Sequence, residues 1–171
     1  MWRDDWNRII KDLTRIVRSV DPRHLIVCEA GDGWSQPQWF HWLEPTGDTN
    51  TIYSFHHYGK HWGYDRDEYY PSYSWPPEKE IDILLEAILF GLRHNVPLHC
   101  GEFGVSQISP ADDHLVWLDD YLGLFERFGI GWNWWNWSGS DIYRTGLKAG
   151  EEVSPNLAVL RKWIERKKTW R

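Results

Sequence analysis

Short apolar segments alternate with amphipathic helical segments along almost the whole chain. Residues 6–20 place their apolar side chains on one helix face, and Asp21-Pro22 ends that pattern. Four strand-like runs follow at residues 24–29, 51–56, 96–100 and 129–134, and amphipathic helices follow the last three of them, through residues 81–92, 115–125 and 157–164. Strands that alternate with helices predict an α/β fold of parallel βα units with right-handed crossovers.

The length of the chain limits what this pattern can build. The 171 residues suit one domain, residues 1–171, and a complete eight-stranded α/β barrel needs at least about 200 residues, so a barrel could be present only in part. The chain is 42% apolar and 26% charged, and it lacks an apolar run of about 18 residues, which predicts a soluble globular protein without a membrane span. A net charge of −6, with no basic stripe before residues 161–168, disfavours a nucleic-acid partner.

Two features bear on the cellular compartment. Met1 is followed by charged residues rather than by an apolar run, so no signal peptide is predicted, and the localisation is left open. Cys28 and Cys100 each lie inside a strand-like run. Buried free thiols are the favoured interpretation and a disulfide is the alternative, and neither of them determines the compartment.

Polar and aromatic side chains follow the carboxyl ends of the predicted strands, where the functional residues of parallel α/β folds gather. These side chains are Glu29, His56, His57, Tyr58, Glu102, Trp135 and Trp137. Aromatic faces stack on the C–H faces of sugar rings, and a pair of carboxylates is what cleavage of a glycosidic bond requires. The rim is therefore predicted to bind a sugar, with Glu102 and Glu29 as candidate catalytic residues and the others as candidate substrate-binding residues.

Several histidines and tryptophans also have alternative interpretations as metal ligands or as packing residues. His56, His57 and His61 lack the helical His-x3-His pair or carboxylate triad of a metal site, so neither a metal nor a cofactor is predicted. Trp132 and Trp134 are predicted to pack in the core. Five further tryptophans lie in predicted loops, where exposed indoles are costly unless they bind something or fill an interface: Trp34, Trp39, Trp42, Trp62 and Trp75.

Four segments, taken in order, carry a resemblance to a known family: the first helix with residues 20–27 (VDPRHLIV), residues 52–58 (IYSFHHY), residues 96–104 (VPLHCGEFG) and residues 134–138 (WWNWS). They resemble the approach to the fifth strand, the sixth strand with its His-x-Tyr, the nucleophile strand, and the eighth strand with its sugar-stacking Trp in glycoside hydrolase family 5. The members of this family are cellulase-like barrel glycosidases. The resemblance implies half of a (β/α)8 TIM barrel, made of four parallel strands with their helices.

The resemblance also implies roles for individual residues. Glu102 would be the nucleophile, His56 and Tyr58 would orient it and the substrate, and Trp135 would stack on the sugar. Trp137 is a second candidate for stacking because the register through the Trp-rich run is ambiguous. The acid/base Glu of the family, in an Asn-Glu pair that ends the fourth strand, has no counterpart in this chain.

The missing half has consequences for assembly. Four parallel strands leave two open edges and one uncovered apolar face, so we expect a two-fold homodimer that closes eight strands. In this dimer the strand near Trp132 pairs with the strand near Ile26 of a second copy. The two copies of Glu102 then stand four strands apart, and each Glu29 lies two strands from a Glu102.

These considerations predict a polysaccharide-degrading hydrolase whose activity on β-glucosidic bonds, of the cellulose, β-glucan or β-glucoside type, is weak. Glu29 is either a surrogate general acid or a rim carboxylate bonded to a loop. The alternative function is a carbohydrate-binding module, or an inactive structural fragment, that lost its acid with the first half of the barrel.

Overall fold

The computed structural model describes residues 2–31, 35–58, 77–105, 113–138, 146–149 and 152–168. Within these ranges the helices are α1 (Trp2–Val20), α2 (Pro77–His94), α3 (Asp113–Arg127) and α4 (Asn156–Lys168). The strands are β1 (Ile26–Glu29), β2 (Thr51–His57), β3 (Leu98–Phe103), β4 (Gly131–Trp134), β5 (Lys148–Ala149) and β6 (Glu152–Val153), and a 3-10 helix spans Pro37–His41. The predicted α/β class, with helices after the second, third and fourth strands, is confirmed.

The four long strands form one parallel sheet in the order β1-β2-β3-β4, so their carboxyl ends lie at one edge. Glu29 on β1 pairs with Ser54 on β2. The register then shifts after Phe55, so that His56 lies opposite Glu102 and Gly101 is the extra residue of β3. A bulge of this kind changes the direction of a side chain near the end of a strand. Here it brings Glu102 beside His56.

The two faces of this sheet have different neighbours. We call the face that packs against the helices the helix-covered face. Its core is aromatic: the rings of Phe55 and Phe103 have their centroids 6.4 and 5.2 Å from that of Phe125 on α3, and Tyr53 lies 4.9 Å from Phe90 on α2. The opposite face, which we call the open face, carries Val27, Glu29, Ser54, His56 and Glu102. Val27 is 54% exposed, because no helix of the described ranges packs on this face.

Helix α1 contacts the rest of the chain through both apolar and polar groups: Ile10 is buried in the core, and Trp6 packs against that core. The Asn7 amide donates to the carbonyl of Trp42 at 2.8 Å, and Arg18 makes a two-pronged ion pair with Asp48 at 2.6 and 2.9 Å. The apolar face that the sequence predicted for this helix is largely solvent-exposed, as a stripe made of Ile9, Leu13, Ile16, Val17 and Val20. We call this set the α1 stripe. The uncovered apolar face was predicted for the sheet, whereas the α1 stripe is an exposed apolar face of a helix.

The strand boundaries differ from the predictions by a few residues. β1 begins at Ile26 instead of residue 24, where the amide of Ile26 donates to the Asn50 carbonyl at 3.0 Å. β3 spans Leu98–Phe103 instead of 96–100, because pairing continues through the bulge at Gly101. Glu102 is consequently part of its strand and does not follow it. The β5–β6 hairpin was not predicted.

The cysteine prediction is confirmed, since Cys28 and Cys100 are both buried and free. Burial raises the pKa of the Cys28 thiol to about 12, so this thiol stays protonated at neutral pH. Within the described ranges, no helix is both long enough and apolar enough to cross a bilayer.

Candidate active site

Three of the predicted residues meet around one carboxylate oxygen at the strand ends. The Tyr58 hydroxyl donates to Oε2 of Glu102 at 2.6 Å, and Nδ1 of His56 lies 3.6 Å from the same oxygen. The Glu102 side chain is 30% exposed, so it is held by its neighbours and is still accessible to a ligand. Glu102 therefore has the position and the polar support that a carboxylate nucleophile needs.

Glu29 lies on the other side of His56. Its Oε1 accepts a hydrogen bond from the Ser54 hydroxyl at 3.1 Å and is 3.0 Å from Nε2 of His56. The hydrogen bond with His56 is the largest influence on this carboxyl, and together with that from Ser54 it holds the pKa of Glu29 below its ordinary value of 4.5. Both partners belong to β2, which differs from the predicted alternative of a rim carboxylate bonded to a loop.

The lowered pKa bears directly on the acid role proposed for Glu29. A general acid must hold a proton at the working pH, and enzymes achieve this by raising the pKa of the acid carboxyl. Glu29 has the opposite shift, so it is ionised at neutral pH. The lowered pKa of Glu29 therefore argues against the surrogate-acid interpretation.

His57 does not join the site. It is next to His56 on β2, and adjacent strand residues point to opposite faces. Its ring is buried on the helix-covered face, where it stacks on Tyr121 with ring centroids 5.0 Å apart. The prediction that His57 contacts substrate is therefore wrong for this arrangement, and the same alternation prevents His56 and His57 from sharing a metal ion.

The tryptophans at the end of β4 divide into two pairs. Trp132 and Trp134 pack on Phe103, with ring centroids 5.5 and 5.2 Å away, which confirms their predicted core role. Trp135 and Trp137 are 43% and 60% exposed. The amide of Trp135 donates to the Phe103 carbonyl at 2.8 Å, which ties this segment to the strand of Glu102. Both exposed indoles therefore lie just after the carboxyl end of β4, where the sequence predicts substrate-binding residues.

The remaining candidate tryptophans and histidine have other placements. Trp39, in the 3-10 helix, is partly buried against the core, and Trp42 is 43% exposed beside His41. No three His, Cys, Asp or Glu residues of the described ranges form a group that could hold a metal. The predictions for Trp34, His61, Trp62 and Trp75 concern residues that lie outside the described ranges.

Three residues of the open face that surround Glu29 were not predicted from the sequence: Ser54, His99 and Gly101. Ser54 bonds Glu29, and His99 has its pKa lowered by burial while the charge of Glu29 opposes that shift. Gly101 leaves room for the cluster, since a Cβ there would lie 2.6 Å from the Ser54 hydroxyl oxygen and 3.3 Å from Oε1 of Glu29. The signal for Ser54 was available, because it stands two residues before His56 and hence on the same face.

The fold and site together define a class of protein. Parallel βα units whose strand ends bring together a carboxylate, an imidazole, a phenol and exposed indoles are typical of α/β-barrel enzymes that act on sugars. The comparisons with known proteins make this assignment specific. Residues 1–141 match the family model for cellulase (glycosyl hydrolase family 5), and the chain belongs to that family.

Curated relatives include Endoglucanase C of Acetivibrio thermocellus and Endoglucanase C307 of Clostridium sp. (strain F1). Each is 26% identical to this chain over an alignment of 195 positions, which covers 92% of this chain and 57% of the relative. The chain thus spans about half the length of the curated relatives it matches.

Solved structures show the same fold. Endoglucanase Cel5A from Thermotoga maritima superposes with a TM-score of 0.77 at 18% identity, over 93% of this chain and 54% of that one. The cellulose synthase subunit Z from Clostridioides difficile has a TM-score of 0.74 at 19% identity, over 92% of this chain and 55% of that one. The four parallel strands and their helices therefore correspond to about half of a family 5 barrel.

Proposed function

We propose that this chain hydrolyses β-glucosidic bonds, of the cellulose, β-glucan or β-glucoside type, with Glu102 as the nucleophile. The observation that carries the proposal is the hydrogen bond of 2.6 Å from Tyr58 to an accessible Glu102 carboxylate, at the strand ends next to the exposed Trp135. Its support from relatives is that the curated matches are named endoglucanases.

The chemistry follows from this geometry. A Glu102 oxygen attacks the anomeric carbon and forms an ester while the bond to the leaving oxygen breaks, and that oxygen departs with the electron pair. Water then attacks the anomeric carbon, releases the sugar and regenerates the carboxylate. The Tyr58 hydroxyl holds the attacking carboxylate in place, and Trp135 and Trp137 offer faces for stacking of the sugar ring.

Protonation of the leaving oxygen is the step for which this site is least equipped. Glu102 and Glu29 are the carboxylates at the described strand ends, and Glu29 is ionised at neutral pH. Without a proton donor, a sugar alkoxide leaves slowly, whereas a dinitrophenolate needs little acid assistance. We therefore expect turnover of dinitrophenyl β-cellobioside together with slow or undetectable cleavage of soluble cellulose.

The test is to measure both substrates with the wild-type chain and with Glu102→Gln. Turnover of the aryl substrate that is lost in the variant supports the nucleophile assignment. Equal turnover by the two proteins refutes it.

A sugar-binding function without hydrolysis is the second candidate, and the lowered pKa of Glu29 is the observation that favours it. In this case oligosaccharides would change the fluorescence of Trp135 and Trp137 although no glycoside is cleaved. Fluorescence that is unchanged by oligosaccharide, together with no turnover, would leave only the inactive structural fragment.

We further propose that residues 1–171 form one half-barrel domain that assembles as a two-fold homodimer. Among the described strands, β1 and β4 are the edges of the sheet, and the exposed α1 stripe lies on the helix that precedes β1 along the chain. A second copy supplies a β4 edge for β1 and an α4 helix for the stripe, and thereby reaches the eight strands of the family. Such closure also covers Val27 on the open face.

Sedimentation of three proteins tests this assembly. We expect the wild type to be a dimer at micromolar concentration and Val17→Lys, within the α1 stripe, to be a monomer. Val116→Lys is the matched control, because Val116 is 51% exposed on α3 and does not belong to the α1 stripe, and this variant should remain a dimer. A wild-type monomer would contradict the proposal.

A further inference from the structure

His56 stands between two carboxylates, one at each of its ring nitrogens. Nε2 is 3.0 Å from Oε1 of Glu29, and Nδ1 is 3.6 Å from Oε2 of Glu102. The first distance is that of a hydrogen bond, whereas the second is that of a charge facing the ring edge. The imidazole therefore connects Glu29 on β1 to the proposed nucleophile on β3.

The contact with Glu29 determines which nitrogen holds the proton. An ionised carboxylate can only accept hydrogen bonds, so Nε2 of His56 must be the donor. The ring is then either neutral with its proton on Nε2 or doubly protonated. In both states the Glu29 contact turns Nδ1 towards Glu102, as a carboxylate partner fixes the tautomer and orientation of histidine in other enzyme sites.

The groups packed around Glu29 hold its carboxylate in a defined position. Oε1 also accepts the Ser54 hydroxyl at 3.1 Å, so two donors of β2 hold one oxygen. The adjacent Gly101 has no side chain, and a Cβ there would come within 3.4 Å of Nε2 of His56 and 3.3 Å of Oε1 of Glu29. The Glu29 side chain is 41% exposed and the His56 side chain 21% exposed, so the pair lies at the accessible surface of the open face.

We propose that Glu29 is a positioning residue: it holds the His56 proton on Nε2 and keeps the Nδ1 side of the ring against Oε2 of Glu102. This proposal rests on the nucleophile role of Glu102 proposed above. It replaces the acid role considered for Glu29 with one that an ionised carboxylate can perform. Titratable groups on the neighbouring strands of this face are Glu29, Glu102 and His99, and Tyr58 follows the strand of His56 itself.

The test uses imidazole nitrogen NMR of the full chain with isotope-labelled histidine. The His56 signals are assigned by their loss in His56→Gln. In the wild type we expect a fixed proton on Nε2 of His56. In Glu29→Gln we expect exchange between both tautomers and a titration midpoint for His56 that is lower by about one pH unit, because a neighbouring negative charge has been removed.

The chain offers a matched control. Nδ1 of His41 lies 3.3 Å from Oε2 of Glu86, and this histidine–carboxylate pair joins the 3-10 helix to α2. Glu86→Gln should change the His41 signals and leave those of His56 unaltered. If Glu29→Gln fails to fold, Glu29→Asp keeps the charge but withdraws the oxygen from Nε2, and the fixed tautomer should again be lost.

The results separate this proposal from the proposed function. Unchanged His56 tautomer and midpoint in the Glu29 variants would overturn the positioning role, whatever the activity. If dinitrophenyl β-cellobioside is turned over, Glu29→Gln should lower kcat by about 10-fold with KM nearly unchanged, as is typical for removal of a group that orients a site residue. An equal loss in kcat for Glu86→Gln would also contradict the proposal. If the wild type shows no turnover, the function fails and NMR alone decides the role of Glu29.

Discussion

The helix-covered face and the open face of the sheet come from the same strands but have opposite chemistry. On β2, Tyr53 and Phe55 pack into an aromatic core, whereas Ser54 and His56 between and beside them form hydrogen bonds with the Glu29 carboxylate. From this difference we infer that the helix-covered face contributes most of the stability, whereas the open face contains the residues of the proposed chemistry. Substitutions on the two faces should therefore separate into stability effects and activity effects.

The largest expected effect is on the open face. Glu102→Gln removes the nucleophile but preserves the side-chain volume, so turnover of dinitrophenyl β-cellobioside should fall by about 1,000-fold or more. The unfolding midpoint in urea should remain close to that of the wild type. Glu86→Gln is the control, because its carboxylate is 32% exposed beside a histidine and that of Glu102 is 30% exposed. If Glu102→Gln loses stability instead of turnover, the division between the faces breaks down.

The helix-covered side should show the reverse. Leu84 on α2 is 0% exposed, and truncating it to Ala should lower the free energy of unfolding by about 3 kcal/mol, because a cavity remains in the core. Leu92 lies on the same helix and is 71% exposed, so Leu92→Ala should change the free energy by no more than about 0.5 kcal/mol. Urea unfolding measures both. Equal losses would mean that burial in this layer does not determine stability.

A smaller effect is expected at the rim tryptophans. Trp135→Ala should weaken binding of a cello-oligosaccharide by about 10-fold, the affinity change that corresponds to one lost stacking contact. Trp42→Ala is the matched control, since both indoles are 43% exposed and Trp42 packs beside His41 next to the 3-10 helix, outside the predicted site. Titration calorimetry gives the two dissociation constants. A larger loss at Trp42 would place the sugar elsewhere.

The smallest effect concerns pH. Because the folded chain lowers the pKa of Glu29 below 4.5, this carboxylate stabilises the fold above that pH, and the contribution is lost as the pH falls through its folded value. Glu29→Gln should therefore flatten the acid side of the stability curve, by less than about 1 kcal/mol since solvent screens a partly exposed pair. Leu84→Ala should lower the whole curve without changing its shape. Identical curve shapes for Glu29→Gln and the wild type would contradict the assigned cause.

Much of this arrangement followed from periodicity. The strand order and the helices after β2, β3 and β4 were predictable because short apolar runs indicate buried parallel strands and a period of 3.6 residues indicates one apolar helix face. The meeting of Glu102, His56 and Tyr58 was predictable because parallel strands end at one edge. The placement of His57 was an avoidable error, since neighbouring strand residues cannot share a face.

Other features depend on tertiary detail that a pattern does not contain. The bulge at Gly101, which sets Glu102 opposite His56, depends on how β2 and β3 pair. The sequence did not reveal that His56 and Ser54 donate to Glu29 and lower its pKa, because strand register and side-chain direction decide which groups meet. The apolar pattern of α1 could not show which of its residues pack against the core, as Trp6 and Ile10 do, and which form the exposed stripe.

The most direct measurement of the central claim is covalent trapping at Glu102. A dinitrophenyl fluoro-glucoside, with fluorine in place of the hydroxyl next to the anomeric carbon, reacts without acid assistance and forms an ester that hydrolyses slowly. Mass spectrometry of the digested chain should show one added fluoro-glucosyl group on the peptide containing Glu102, and none in Glu102→Gln. An adduct on another residue, or no adduct while dinitrophenol is released, would contradict the assignment of Glu102 as the nucleophile.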